Sequence, residues 1–384
     1  MIDLTLSGGR PDIVETLRGG LVRVHSRRGV RLTERLLIEA LPKEAPVRLL
    51  SGFDAEGVVA LAAASLWPET DVVWRHFDAY VAAKVKSNLQ RHDCGRSIDA
   101  AAAPDLPGFV GRGGEQEEPF DVVALPLGKG TESLLVREFA EQAHDVLRVG
   151  GVALFGTDQD ATPLRDVAKA VFGKADAMRD PAGGAVVRAV RSKEKTAWKE
   201  HAHVLRVPFE GRVLELESRP GTFSYGRLDR GTKALMGTLP GSIPRGARVV
   251  DLGCGHGALG LCALVAAPEG RALLVDSNAR AIDLAVRNAA RNGLSDRAEA
   301  VVRSDFERLP QGAFDLALAN PPYFGDFRIA ESFVGAAYGC LVKGGELRLV
   351  AMAAEEHAAI VRRSFQQVRI EEIGEYGVVR AVVL

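Results

Sequence analysis

The two halves of this chain carry the same landmarks in the same order, and that doubling limits its possible folds more than any other feature. The segment RLLSGFDAEGVVAL at 48–61 stands 200 positions before RVVDLGCGHGALGL at 248–261. FDAYVAAKVKSN at 77–88 keeps that offset to SNARAIDLAVRN at 277–288. PFDVVALPLGKG at 119–130 and LRVGG at 147–151 lie 194 positions before AFDLALANPPYF at 313–324 and LVKGG at 341–345. The lead-ins correspond too, RLTERLLIEALP at 31–42 with RLDRGTKALMGTLP at 227–240. A shared order at near-constant spacing means an internal duplication, two copies of one plan rather than one enlarged core. The length of 384 residues agrees, because single cores stop growing at about 250–300 residues.

The plan is clearest in the second half. ARVVDLG reads as a strand, ALGLCALVAA as a helix, RALLVD as a strand, and ARAIDLAVRNAARNG as a helix closed by glycine. AEAVVRSD and FDLALAN are further strands. IAESFVGAAYGCL, GGELRLVAM and EEHAAIVRRSF read as helix, strand and helix, and VRIEEIGEYGVVRAVVL as two strands around a turn. Apolar runs alternating with helical segments specify α/β architecture. The expected fold is therefore two tandem Rossmann-like domains with mostly parallel, twisted sheets. The charged stretch RAVRSKEKTAWKEHAH separates them, giving domains at 1–195 and 196–384. HVLRVPFEGRVLELESRPGTF then alternates like a hairpin.

Composition removes several classes of function. The net charge of −1 excludes a chain-wide grip on nucleic acid, so any polyanion contact would use a local patch. Cys94, Cys254, Cys262 and Cys340 form no C-x-x-C pair, and His25, His201, His203 and His256 lack acidic or cysteine partners at ligand spacing. No metal is expected. No apolar run approaches a membrane span, and the opening MIDLTLSGGRPD is unlike a signal peptide. The expected location is the cytoplasm, without membrane partners, and the expected state is a monomer.

VVDLGCGHGALG runs from strand to helix, where Gly253, Gly255 and Gly257 let a ligand approach the backbone and allow positive φ. The first βα turn of a doubly wound sheet lies at the crevice that binds cofactors. GHGALG also satisfies G-x-G-x-x-G, so a nicotinamide or flavin site competes at this point. Asp251 at the strand end is suited to meet a cationic amino-acid moiety. Asp276, ending the next strand, can accept both hydroxyl hydrogens of a ribose. Asp305 in RSDF can accept from an adenine amino group, and Phe306 can lie against the ring.

NPPY follows the fourth strand at the same edge. A conjugated exocyclic amine is a poor nucleophile and needs its two hydrogens held so that its lone pair faces an electrophilic carbon. The Asn320 side-chain oxygen and the Pro321 carbonyl are suitable acceptors. Pro321 and Pro322 fix the geometry at low entropic cost. Tyr323 offers a face on which a flipped-out base can stack.

With these motifs in order, the second half resembles a class I S-adenosylmethionine-dependent methyltransferase of the N-P-P-[YF] kind. The whole chain resembles the two-domain bacterial ribosomal RNA guanine-N2 methyltransferases, in which a degenerate methyltransferase-like domain precedes an active one. PGTFSYGRLDRGT at 220–232 matches that family's lead-in. The chain departs from the pattern once: the family often has histidine after N-P-P-F, and here Phe324 follows NPPY. The resemblance implies S-adenosylmethionine as donor, S-adenosylhomocysteine as product, and ribosomal RNA or a ribosomal subunit as partner. It implies Asn320, Pro321, Pro322 and Tyr323 as catalytic residues. It implies Asp251, Gly253, Gly255, Gly257, Asp276, Ser277, Asp305, Phe306 and Asn320 around the cofactor, and Phe223, Tyr323 and Phe324 on RNA. Methylation of a protein glutamine, methylation of DNA adenine N6, and a non-catalytic RNA-binding or assembly module remain as alternatives. Direct transfer needs no covalent intermediate, so Cys254 has no role as a nucleophile.

The first half lacks this equipment. Ser51, Phe53 and Ala55 stand for Asp251, Gly253 and Gly255, His76 stands for Asp276, and Pro126 for Asn320. LGKGT is an incomplete P-loop. A non-catalytic copy is expected, with Arg23, Arg27, Arg28 and Arg31 in VRVHSRRGVR available to RNA phosphates.

Overall fold

A computed structural model describes residues 2–6, 13–110, 117–181, 183–192, 201–306, 308–322 and 327–384. The chain folds as two units, Met1–His201 and Ala202–Leu384. The division expected at 195 falls within 193–200, outside the described residues.

The first unit opens with β1 (Ile2–Thr5), β2 (Ile13–Leu17) and β3 (Val22–Ser26), a small sheet of order β1-β3-β2 that the sequence did not disclose. After α1 (Leu32–Ala40) come β4 (Arg48–Gly52), α2 (Val58–Leu66), β5 (Asp71–His76), α3 (Ala79–Leu89), β6 (Asp99–Ala102) and β7 (Phe120–Pro126). The unit closes with α4 (Ser133–Val146), β8 (Leu147–Thr157), α5 (Ala161–Phe172), β9 (Ala175–Arg179) and β10 (Ala185–Val190). Its large sheet has order β6-β5-β4-β7-β8-β10-β9.

The second unit begins with the antiparallel hairpin β11 (His203–Phe209) and β12 (Arg212–Ser218), followed by α6 (Arg230–Gly237). Then follow β13 (Arg248–Leu252), α7 (Ala258–Ala266), β14 (Arg271–Asp276), α8 (Ala279–Arg291), β15 (Ala298–Val302) and β16 (Phe314–Ala319). The last elements are α9 (Arg328–Cys340), β17 (Leu341–Ala351), α10 (Ala354–Val361), β18 (Gln366–Ile373) and β19 (Tyr376–Val382). The sheet order is β15-β14-β13-β16-β17-β19-β18, the same permutation as in the first unit. Even the register irregularity recurs, between Phe120 and Val122 and between Phe314 and Leu316.

Both large sheets are buried on two faces, which is why their central strands read as continuous apolar runs. In the second unit one core gathers Val249, Leu274 and Leu316 beneath α7, and the other gathers Val250, Val275 and Ala317 beneath α9. The helix α7 is apolar all round, and Ala258 through Leu264 are buried. Because β13, β14, β15 and β16 run parallel, their carboxyl ends share one edge. That edge carries the glycine loop, Asp276, Asp305 and Asn320.

Candidate active site

Register brings the glycine loop and NPPY together. Leu252 pairs with Ala319, so Gly253 and Asn320 leave adjacent strands side by side. Gly253, Gly255 and Gly257 have φ values of 69°, 54° and 88°, a region that favours residues without a Cβ. The loop is drawn over the end of β14, where Gly253 N and Cys254 N donate to the Val275 carbonyl at 2.8 and 2.9 Å. A Cβ on Gly253 would lie 2.9 Å from the Phe333 ring, whereas one on Gly255 would meet nothing within 4 Å. The middle glycine thus keeps an open cradle, and the Phe333 ring forms a wall beside the first.

Asp276 already has backbone partners. Its Oδ2 accepts from Gly255 N and its Oδ1 from Asn278 N, each at 2.8 Å. These bonds fix the carboxylate at the end of β14. Asn278 caps α8, accepting from Arg280 N and Ala281 N, while Ser277 beside it is half-buried. Asp305 is exposed, with the Ser304 hydroxyl at 3.2 Å. Phe306 meets Phe333 edge to face, with ring centroids 4.9 Å apart.

Asp251 has a different place from the one read from the sequence. It is fully buried. Its Oδ2 accepts from Gly260 N at 2.8 Å, joining β13 to the first turn of α7. Burial pushes its pKa up to about 7; the Gly260 N–H opposes that rise and the Asp276 charge adds to it. Its Oδ1 has no partner among the described residues, a situation that a protonated carboxyl tolerates better than a carboxylate. Asp251 is therefore an internal brace. Burial also pushes the Cys254 thiol well above its ordinary range, with the charges of Asp276 and Asp251 adding to the shift, so this sulfur is no thiolate.

Asn320 is held on one side only. Its Nδ2 donates to Asp229 Oδ2 at 2.9 Å and to Thr232 Oγ1 at 3.0 Å. Both donor hydrogens are thereby used, and the amide orientation follows. Its Oδ1 is buried and has no hydrogen-bond partner among the described residues. The same Asp229 oxygen caps α6 by accepting from Thr232 N at 2.8 Å. The lead-in is fastened to this edge by Asn278 Nδ2 donating to the Gly221 carbonyl at 3.0 Å and by the buried Arg280 donating to the Pro220 carbonyl at 2.7 Å. On the same lead-in, Phe223 is 57% exposed. Pro321 is buried and Pro322 half-buried. Tyr323 and Phe324 lie outside the described residues.

The family "Methyltransferase small domain" matches residues 213–380. A protein of Pseudomonas aeruginosa (strain LESB58) described as ribosomal RNA small subunit methyltransferase C is 28% identical over 320 residues, 77% of this chain and 93% of its own. Its namesake from Pseudomonas entomophila is 37% identical over 154 residues, 39% of this chain and 45% of its own length. The chain thus spans less than half of that relative, whereas its match to the P. aeruginosa protein runs nearly end to end. A solved 16S rRNA N2 methyltransferase of T. thermophilus, in complex with AdoMet and guanosine, superposes with a TM-score of 0.74 at 21% identity and covers 97% of this chain and 98% of its own. That last likeness concerns the fold, and it extends over both units. The second unit thus matches a methyltransferase family over most of its length.

Sequence reasoning located the strand-end residues and missed what holds them. Asp229 and Thr232 lie within the lead-in, and their signal was the helix-capping pattern D-x-x-T ahead of an apolar run. Phe333 left no local signal, because it reaches the glycine loop only through the packing of α9. Among the described residues, no group of three or more His, Cys, Asp or Glu could hold a metal, and no helix is long and apolar enough to cross a membrane. In the arginine segment, Arg27, Arg28 and Arg31 are exposed, while Arg23 lies 3.6 Å from Asp3.

Proposed function

We propose that this protein is a methyltransferase that transfers a methyl group from S-adenosylmethionine to the exocyclic N2 of a guanine in ribosomal RNA. One observation carries the reading: Asn320 is anchored through its nitrogen, so its buried oxygen is left as an acceptor without a partner among the described residues. An unpaired buried acceptor costs about 1–3 kcal/mol. An amine that arrives with a hydrogen to donate relieves that cost.

The loop residues fit the donor. The positive-φ glycines and the open space at Gly255 are suited to admit it against backbone; Asp276 is assigned to its ribose, and Asp305 and Phe306 to its adenine. When bound, S-adenosylmethionine supplies an electrophilic methyl carbon on a sulfonium and leaves as S-adenosylhomocysteine. The chain holds the other reactant. Asn320 Oδ1 accepts one N2 hydrogen and the Pro321 carbonyl the other, which turns the nitrogen lone pair toward that carbon. No strong base is needed, since the amine loses its proton readily once it is alkylated. Positioning and the exclusion of water supply most of the acceleration. Tyr323, Phe324 and the exposed Phe223 are assigned to the RNA.

The first unit, 1–195, is assigned a non-catalytic part, with Arg23, Arg27, Arg28 and Arg31 docking RNA. The second, 196–384, is assigned the chemistry. The protein is assigned to the cytoplasm as a monomer. The test is labelled-methyl transfer to ribosomal RNA, a release-factor protein and DNA, with wild type and Asn320→Ala. The expected result is label in guanine N2 of the RNA alone, with turnover lowered about 10²–10³-fold in the variant at similar donor affinity, by analogy with deleting one preorganised hydrogen bond in an active site. Label in a glutamine or an adenine would reject the substrate. Equal losses of turnover and donor affinity would mean that Asn320 serves the donor.

A further inference from the structure

The second unit has a cleft of about 370 Å³ that opens at the amino edge of its sheet, opposite the edge that carries Asn320, and runs along β15 to Arg303, whose N–H donates to the Asp276 carbonyl. Arg248 and Arg271 line it at the first residues of β13 and β14, with Arg297 just before β15 and Arg303 and Arg308 after it. Two of these are engaged. Arg248 grips Asp315 at 2.7 and 3.1 Å, and Arg297 donates to the Leu264, Ala267 and Gly270 carbonyls around the end of α7. Burial, with Arg212 nearby adding repulsion, lowers the Arg297 pKa from its ordinary value. Arg271, Arg303 and Arg308 are exposed, and their side chains make no hydrogen bond or ion pair with any described residue. Asp296 and Glu299 are the carboxylates of the lining. The cleft therefore concentrates positive charge in a chain whose net charge is −1.

The first unit supplies an internal control. At the strand starts equivalent to Arg248 and Arg271 it has Arg48 and Asp71, bonded to each other at 2.6 Å. One half of the duplication neutralises its amino edge with its own ion pair. The other half puts arginine in place of the aspartate and leaves it unpaired among the described residues.

We infer that this cleft holds backbone phosphates of the RNA, with Arg271 at the edge of the sheet away from the reacting base. The inference rests on RNA as substrate. Arginine presents a planar fork of donors matched to phosphate oxygens. Strands of five or six residues rise about 3.3 Å per residue, so the two edges lie about 17–20 Å apart, less than one turn of a duplex at about 34 Å. A single folded RNA element can therefore reach both.

The test uses the full chain carrying Arg271→Gln and Arg308→Gln, with a parallel double Lys variant that keeps the charges. Anisotropy of a labelled ribosomal RNA fragment is read across a salt series, and donor binding by calorimetry. The Gln variant is expected to bind RNA about 10–100-fold more weakly at about 0.1 M salt, and its log–log salt slope to fall by about 1.5, since each phosphate no longer neutralised removes about 0.7–0.9. Donor affinity should match wild type, and the Lys variant should keep most of the RNA affinity and slope. Unchanged affinity and slope in the Gln variant would overturn the inference, as would a Lys variant that falls as far as the Gln variant. Inorganic pyrophosphate is the second probe: binding abolished in the Gln variant while RNA affinity stays intact would make this a small-anion site and reject RNA. If RNA binds with the cleft's signature but receives no methyl group, the proposed reaction fails and this inference stands. If wild type binds no RNA, both fail.

Discussion

Phe53 and Gly253 occupy equivalent places in the two units, and their φ values, 61° and 69°, are nearly the same. The first unit has kept the backbone of a ligand loop and filled it with a phenyl ring. That ring packs against Phe139 and Phe77, with centroids 4.4 and 4.8 Å away, and against His76 at 5.3 Å. Phe139 is the counterpart of Phe333, the wall of the open loop in the second unit. A non-glycine residue at positive φ costs of order 1–3 kcal/mol, which the aromatic packing offsets.

Other exchanges separate scaffold from site. His76 Nδ1 accepts from Asp78 N at 2.9 Å, just as Asp276 Oδ1 accepts from Asn278 N. The turn keeps its cap, but the carboxylate that could face a ribose is gone, and burial lowers the His76 pKa and so favours the neutral ring. Asn88 donates to the Glu56 carbonyl as Asn288 donates to that of His256, at 2.7 and 2.9 Å. Asp121 accepts from Arg48 N as Asp315 accepts from Arg248 N, at 2.9 and 2.8 Å. The clips that hold strands and helices together are present in both units. The groups that would hold a donor and an amine are present in one.

The comparison can be broken most directly by transplanting the phenyl. Gly253→Phe is expected to fold, because the first unit shows that this backbone accepts the residue. It is expected to lose donor affinity by at least about 100-fold, read by calorimetry beside far-ultraviolet circular dichroism. A variant that still binds the donor would show that the ring is not what closes the first unit. The reverse change, Phe53→Ala, should lower stability by about 3 kcal/mol in a urea titration, at the low end for Phe→Ala. It should create no donor site, because His76 and Pro126 remain; new binding would mean that the phenyl alone had closed the loop.

Asp229→Ala tests the anchor of Asn320 and should lower turnover about tenfold, or about 1.4 kcal/mol. The lost helix cap should cost about 1 kcal/mol of stability, with donor affinity little changed. Asp229→Asn keeps an oxygen for both donors and should restore both properties. If Asp229→Ala lowers stability without touching turnover, Asp229 is only a cap. A pH series tests Asp251, whose counterpart is Ser51. Its folded pKa of about 7 lies above the ordinary 3.8, so the folded chain keeps a proton that the unfolded chain releases between those values. That contribution is present below about pH 4 and is lost as pH rises through 7. Asp251→Asn lacks this titration, so its melting temperature relative to wild type should rise between about pH 5 and pH 8. A constant difference would mean that Asp251 is ionised when folded.

Much of this was legible in local sequence. Gly253, Asp276 and Asn320 each end or follow an apolar strand, and in a parallel sheet every strand end of that polarity falls on one edge. The substitution of Gly253 by Phe53 was legible for the same reason. The direction of Asp251 was not legible, because residues at a strand end face either the crevice or the following helix, and sequence order does not say which. The hold of Asp229 and Thr232 on Asn320 joins positions 91 and 88 residues apart, and no local pattern encodes such a pairing.

The sequence by itself determined the duplicated α/β plan, the carboxyl-edge placement of the chemical groups and the closure of the first loop, because periodicity, glycine and side-chain size act over a few neighbouring residues. Tertiary structure alone decided which way each polar group points. It turned Asp251 inward, left the Asn320 oxygen without a partner among the described residues, and gathered arginines from three segments around one cleft. Those outcomes depend on packing between elements distant in the chain, where burial and the supply of hydrogen-bond partners are set by the whole domain.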